Sequence, residues 1–163
     1  MDASAIVAVV FALVCINGAP ILLRNLLQGR CAFPLDGYAC AWDGRRVLGP
    51  SKTWRGLFAA VITAGALAPV FGLSSLLGMG VGALAMLGDS VSSFCKRRLG
   101  LRSGVRVPLL DQMPEALLPV LWLQPWVGLS LLDVVASVIG FVVLEMALLP
   151  LLVYLHVRRT PRY

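Results

Sequence analysis

Residues 86–112 read MLGDSVSSFCKRRLGLRSGVRVPLLDQ. This stretch begins inside an apolar run and sets an aspartate there, Asp89. It leaves the run through Lys96, Arg97 and Arg98 and ends on a second aspartate, Asp111. Asp89, Ser92, Ser93, Lys96 and Arg97 follow the i, i+3, i+4, i+7, i+8 spacing, which predicts that they share one face of one helix. A polar stripe climbing into an apolar segment must face protein or water rather than lipid, and an ionisable residue at that depth is a functional-site candidate.

The composition around it points the same way. The 163 residues are 59% hydrophobic and 13% charged, with a mean hydropathy of +0.87. A soluble domain carries about 25% charged residues, so the class is an all-α integral membrane protein. The chain reads as a single membrane-embedded domain, 1–163. Five spans are expected, at about 3–23, 57–72, 76–95, 114–127 and 131–157, against the ~20 residues a bilayer requires. The fourth is short and broken by Pro119 and Pro125, and Asn17, Gly18 and Pro20 weaken the last turns of the first. That first segment is not expected to be a cleaved signal, because no basic region precedes it. No internal repeat is evident. Gly78-Met79-Gly80-Val81-Gly82 superficially resembles a nucleotide loop. It lies at the uncharged end of an apolar hairpin, however, where small residues serve close helix packing. Cys15, Cys31, Cys40 and Cys95 form no CxxC pair, and His156 is the sole histidine, which argues against a disulfide framework or a zinc site.

The net charge of +6 matters through its placement. The 14 basic residues fall into three clusters: Arg24, Arg30, Arg45, Arg46, Lys52 and Arg55; then Lys96, Arg97, Arg98, Arg102 and Arg106; then Arg158, Arg159 and Arg162. With five spans, the two long connections and the tail share one side, and that side holds every positive charge. The positive-inside rule makes it cytoplasmic. The expectation is therefore a protein of the cytoplasmic (inner) membrane with its N-terminus outside and its C-terminus cytoplasmic, its basic residues serving that boundary rather than nucleic acid.

Two constellations could carry chemistry. Asp89 and Asp111 offer carboxylate oxygens on one membrane face, a donor set that suits Mg²⁺, which keeps waters and substrate phosphates as its remaining ligands. The bland readings are a structural pair of Asp89 with Lys96 or Arg97, and Asp111 as a simple N-cap of the fourth helix. In the first connection, Asp43-Gly44-Arg45-Arg46 precedes Gly49-Pro50-Ser51-Lys52-Thr53-Trp54-Arg55-Gly56. A lysine flanked by hydroxyls and glycines just ahead of a helix N-terminus offers phosphate-binding groups, although such a segment can also hold anionic headgroups nonspecifically. Asp36 is a turn residue or a third acidic contributor. Glu145 lies deep in the fifth span and needs a partner. Glu115 reads as a helix-dipole partner, and Trp54, Trp122, Trp126, His156 and Tyr163 read as interfacial anchors.

Gly49 to Gly56 resembles the Lys-Thr motif of the CTP-dependent phosphatidate cytidylyltransferase superfamily. Gly88-Asp89 through Ser93, with Lys96-Arg97, resembles its signature segment, and Leu110-Asp111 its closing aspartate. The shorter CDP-archaeol synthase family is the closer resemblance, through Asp43 to Arg46, the run from Gly88 to Gly100, and Asp111-Gln112. The His-Gly-Gly segment of the longer enzymes is missing, and Gln112 stands where they have Arg. The resemblance implies a CTP-dependent cytidylyltransferase that converts a membrane lipid phosphomonoester, archaetidic-acid-like or phosphatidate-like, into a CDP-lipid with release of pyrophosphate. It implies Mg²⁺ on Asp89 and Asp111, catalytic roles for these two with Lys52 and Lys96, and CTP or phosphate contacts from Asp43, Arg46, Ser51, Lys52, Thr53, Arg55, Ser92, Ser93, Lys96 and Arg97. A homodimer is compatible with this layout. The alternative is a non-enzymatic small membrane transporter or lipid-binding assembly protein. The dense aspartate motif of CDP-alcohol phosphotransferases is not found.

Overall fold

The structure is a computed structural model, which describes residues 2–28, 30–105 and 107–154. It is all-helical: α1 (Ala3–Leu27), α2 (Trp54–Leu67) with a 3₁₀ turn (Ala68–Phe71), α3 (Ser75–Arg98), α4 (Gln112–Val127) and α5 (Leu131–Tyr154). Four of the five α-helix starts carry a side-chain cap. Asp2 accepts from the amides of Ser4 and Ala5, Thr53 from Gly56, and Ser74 from Leu77. Ser130 and Asp133 form a reciprocal capping box ahead of α5. Prolines lie inside α1, α4 and α5 without ending them, as membrane helices allow. α1 accordingly runs through Asn17, Gly18 and Pro20, where a weakening was expected.

The helices form a ring in which each packs on its neighbours in sequence and α5 closes back on α1. Successive helices are antiparallel, and α1 and α5 run parallel, with Gly140 beside Val10. Among the described residues four helices are long and apolar enough to cross a membrane: α1, α2 with its 3₁₀ turn, α3 and α5. α4 has only 16 residues. The chain is an integral membrane protein. The core is made of Leu13, Ile16, Ala60, Ala85, Ala116, Val120 and Phe141, while Val7, Phe11, Ile62, Val135, Ile139 and Val143 are exposed on outer faces. Small residues set the seams. A Cβ on Gly78 would collide with the carbonyl of Ala64, and one on Gly82 would lie 2.6 Å from that of Ala60, so the Gly78–Gly82 run is a helix-packing surface and not a loop. Gly88 meets Pro114 in the same way, which brings the C-terminal half of α3 against the start of α4.

This connectivity places the described residues of 28–53 and 99–111 at one end of the ring, together with every described basic residue. Arg106, His156, Tyr163 and the third basic cluster lie outside the described residues.

Candidate active site at the basic end

α3 supplies the floor of the site. Its stripe faces inward as its spacing predicts: Ser92 and Ser93 are buried, Lys96 is buried, and Asp89 is half-buried. The partners differ from both bland readings. Asp89 pairs with Lys52 of the first connection, and Lys96 pairs with Asp111 at 2.6 Å. Two Lys–Asp pairs thus stand side by side on one helix face, each drawing one member from a different connection. Their lysine side chains are 12% and 11% exposed, while both aspartates are 21% exposed, so the carboxylates are the more open members.

Asp111 does not cap α4 with its side chain. Its second oxygen instead accepts from the Val107 amide at 3.1 Å, and Lys96 also donates to the Val105 carbonyl at 3.2 Å. The second connection is therefore folded back over α3. Lys52 is placed by backbone pairing: Leu35 N–H donates to the Lys52 carbonyl at 2.8 Å, and Trp54 N–H to that of Phe33 at 3.1 Å. Residues 33–35 thereby brace the segment that enters α2.

The first connection is held by its own ion pairs. Asp36 is buried, with a side chain 1% exposed; it takes Arg46 at 2.5 Å and the amides of Leu48, Gly49 and Tyr38. Burial pushes its carboxyl up, but the Arg46 guanidinium and these amides outweigh that and hold it below the ordinary carboxylate range. Asp36 is thus the knot of the loop. Asp43 pairs with Arg98 at 2.6 Å, Arg98 also donates to the Arg45 and Arg46 carbonyls, and Arg45 donates to the Arg97 and Arg98 carbonyls at the end of α3. Gly100 turns the chain there with φ +76, and a Cβ on it would lie 2.9 Å from the Arg45 guanidinium. This reciprocal clamp ties the first connection to α3.

The structure therefore brings together Lys52, Asp89, Ser92, Ser93, Lys96 and Asp111. Ser92 donates to the Asp89 carbonyl at 2.9 Å, and Thr53 caps α2, so both hydroxyls are committed to positioning. Ser51 is exposed. Asp43 and Arg46 are engaged in the loop, Arg55 donates to the Arg30 carbonyl, and Arg97 to that of Arg102. Arg98 was not singled out from the sequence as part of the site: its value depends on what packs against it, which has no local signature. Trp54 and Trp126 are exposed at opposite ends of the ring, as interfacial aromatics would be. All four cysteines are free. Among the described residues no three His, Cys, Asp or Glu side chains cluster as a metal cage. Any divalent cation here would rest on the two aspartates and on oxygens brought by a ligand, a pattern that fits Mg²⁺.

The family model for CarS-like CDP-archaeol synthase matches residues 62–158. A CDP-archaeol synthase of Hyperthermus butylicus is 44% identical over 103 residues, covering 60% of this chain and 58% of that one. One of Methanococcus aeolicus is 34% identical over 115 residues, covering 60% and 65%. The chain thus spans under two thirds of these relatives' own length. A solved structure described as an intramembrane enzyme for archaeal membrane lipids biosynthesis is similar with a TM-score of 0.72 at 27% identity, over 86% of this chain and 90% of that one.

Proposed function

The chain belongs to the CDP-archaeol synthase family, and from that premise we propose that it transfers a cytidylyl group from CTP to a membrane lipid phosphomonoester at its basic end. A lipid phosphate oxygen attacks the α-phosphorus of CTP, the bond from that phosphorus to the β-phosphate oxygen breaks, and pyrophosphate leaves as the CDP-lipid forms. No side-chain nucleophile is needed. Such transfers depend on positioning and on charge stabilisation.

The observation that carries this reading is the double Lys–Asp array on α3. Lys52 and Lys96 are held where two polyanionic substrates must meet, and they neutralise phosphate oxygens as charge moves to the leaving group. Asp89 and Asp111 would hold Mg²⁺ together with substrate phosphates. Bound there, Mg²⁺ supplies Lewis-acid stabilisation of the phosphoryl oxygens. Ser92 braces the backbone at Asp89, and Thr53 fixes the start of α2 directly after Lys52. Asp43, Arg46 and Arg98 hold the first connection over the site. The low polarity around α3 strengthens each of these interactions relative to water.

The basic end is assigned to the cytoplasmic side, where CTP is available and where the positive-inside rule puts it. The N-terminus is then outside and the C-terminus inside. Cys31 and Cys40, exposed in the first connection, report this: a membrane-impermeant maleimide should label them in inside-out vesicles and spare them in right-side-out ones. The lipid is an archaetidic-acid-like or phosphatidate-like phosphomonoester. The test is incorporation of labelled CTP into lipid by the purified protein with Mg²⁺ and either lipid phosphate. A CDP-lipid is expected from at least one, lost on Asp89→Asn by at least about a hundredfold. Formation of none from either would favour a non-enzymatic lipid-binding protein, and activity surviving Asp89→Asn would remove the metal role.

A further inference from the structure

α3 carries a second stripe, opposite the one that builds the site. Leu87, Val91, Phe94 and Arg98 follow the i, i+4, i+7, i+11 spacing, half a turn around the helix from Asp89. Leu87 and Val91 are exposed, so this is the face that α3 turns to lipid. At its end the first connection lays a tryptophan on it. The Trp42 ring meets that of Phe94 edge-on, with 6.3 Å between centroids. The Arg98 guanidinium stands 5.4 Å from the centre of the Trp42 ring and 5.1 Å from that of Phe94. Trp42 is nevertheless 85% exposed: its ring is held on one side and open on the other.

Three observations say what covers the open side. The first is depth. α3 has 24 residues and is about 36 Å long, about 6 Å more than a hydrocarbon core. Its last turn, where Phe94 and Arg98 hold Trp42, therefore stands at the boundary between acyl chains and headgroups. The second is repetition. α2 runs antiparallel beside α3 and begins at this same end with Trp54, whose ring lies 6.1 Å from that of Phe58. Two neighbouring helices thus carry the same pair, a phenylalanine one turn inside the helix end and a tryptophan at the rim. Trp42 continues the lipid-facing surface of both. The third is polarity. Among the described residues none accepts from the Trp42 indole N–H, whereas the terminal nitrogens of Arg98 are taken by Asp43 and by the carbonyls of Arg45 and Arg46. An apolar ring with a free donor suits the glycerol layer of a leaflet, where lipid oxygens accept.

We propose that the first connection is a membrane-surface loop, with Trp42 inserted into the glycerol layer of the leaflet at the basic end. Its partner is the bilayer itself. Arg98 links this anchor to the loop that carries Lys52, because it stacks on Trp42 and pairs with Asp43 next to it. The proposal rests on the membrane embedding of the chain and not on cytidylyl transfer.

The experiment follows the fluorescence of the full chain with Trp54→Phe, Trp122→Phe and Trp126→Phe, which leaves Trp42 alone, in phosphatidylcholine vesicles. Lipids brominated near the glycerol end of the acyl chains should quench Trp42 at least about twofold more than lipids brominated near the chain terminus. Iodide on both sides of the bilayer should quench it at least about threefold less than free N-acetyltryptophanamide. A second measurement uses the unaltered chain and does not depend on the triple variant folding. A phospholipid carrying a diazirine beside its glycerol is irradiated with it, and mass spectrometry of the tryptic peptide 31–45 should place an adduct on Trp42. Iodide quenching equal to that of the free amide, stronger quenching from the chain terminus, protection from iodide and bromolipid alike as a second copy would give, protection that requires added CTP, or a Trp42 left unmodified by the photoprobe would each overturn the proposal.

Discussion

Gly88→Ala is the sharpest probe of how the site is assembled, because the change is one methyl group and lies next to Asp89. A Cβ at position 88 would lie 2.7 Å from the Glu115 nitrogen and closer still to the Pro114 carbonyl. Restoring even the 3.4 Å of ordinary contact with that nitrogen requires α3 and α4 to part by about 0.7 Å, and the carbonyl demands more. Both neighbours are backbone atoms, so no side chain can rotate away. Overpacking of this kind costs about 1–3 kcal/mol. The displacement separates α3, which carries Lys96, from the start of α4, which Asp111 directly precedes, and about 1 Å of misplacement can cost about a hundredfold in rate. The expected outcome is a folded protein with a lowered melting temperature in detergent and about hundredfold lower CTP incorporation, with the loss mainly in kcat. Wild-type activity together with a wild-type melting temperature would refute the claim that the Gly88–Pro114 contact sets the spacing of the site.

Two further outcomes follow from the ion pairs. In a double-mutant cycle, Lys96→Met and Asp111→Leu should each destabilise by about 2 kcal/mol, because each strands a mostly buried charge, and the double variant should recover about 1–2 kcal/mol of their sum. Strict additivity in thermal or denaturant unfolding would show that the pair is incidental. Asp36 has a depressed carboxyl in the folded state. Its contribution is therefore complete above the ordinary carboxylate value of 3.8 and drains away as pH falls through the folded value. Melting temperature followed from pH 7 down to about pH 3 should fall more steeply for the wild type than for Asp36→Asn, and superimposable acid branches would exclude Asp36 as the knot of the first connection.

Much of this protein is legible locally. Apolar run lengths and the confinement of basic residues to particular connections are properties of contiguous sequence, and they are enough to give the helices and a single charged end. The α3 stripe is legible for the same reason, since helical periodicity alone puts Asp89, Ser92, Ser93 and Lys96 on one face. Partner choice is not local. Asp89 and Lys96 are two helical turns apart, about 10 Å along the axis, and their charges are met instead by Lys52 and Asp111, which the ring of helices delivers from the two connections. Likewise Asp36 read as a turn residue or a third acidic contributor, and its role as a buried counter-ion depends on Arg46 and three amides closing around it. Asn17 looked like a weak point in α1, and only the packing of the helices shows that it is buried within a continuous helix. The amino-acid sequence by itself determined the helices, the charged end and the inward face of α3, because each arises from spacing along the chain. The tertiary structure decided which lysine neutralises which aspartate, and it did so through backbone-to-backbone contacts such as Gly88 on Pro114 that no single segment encodes.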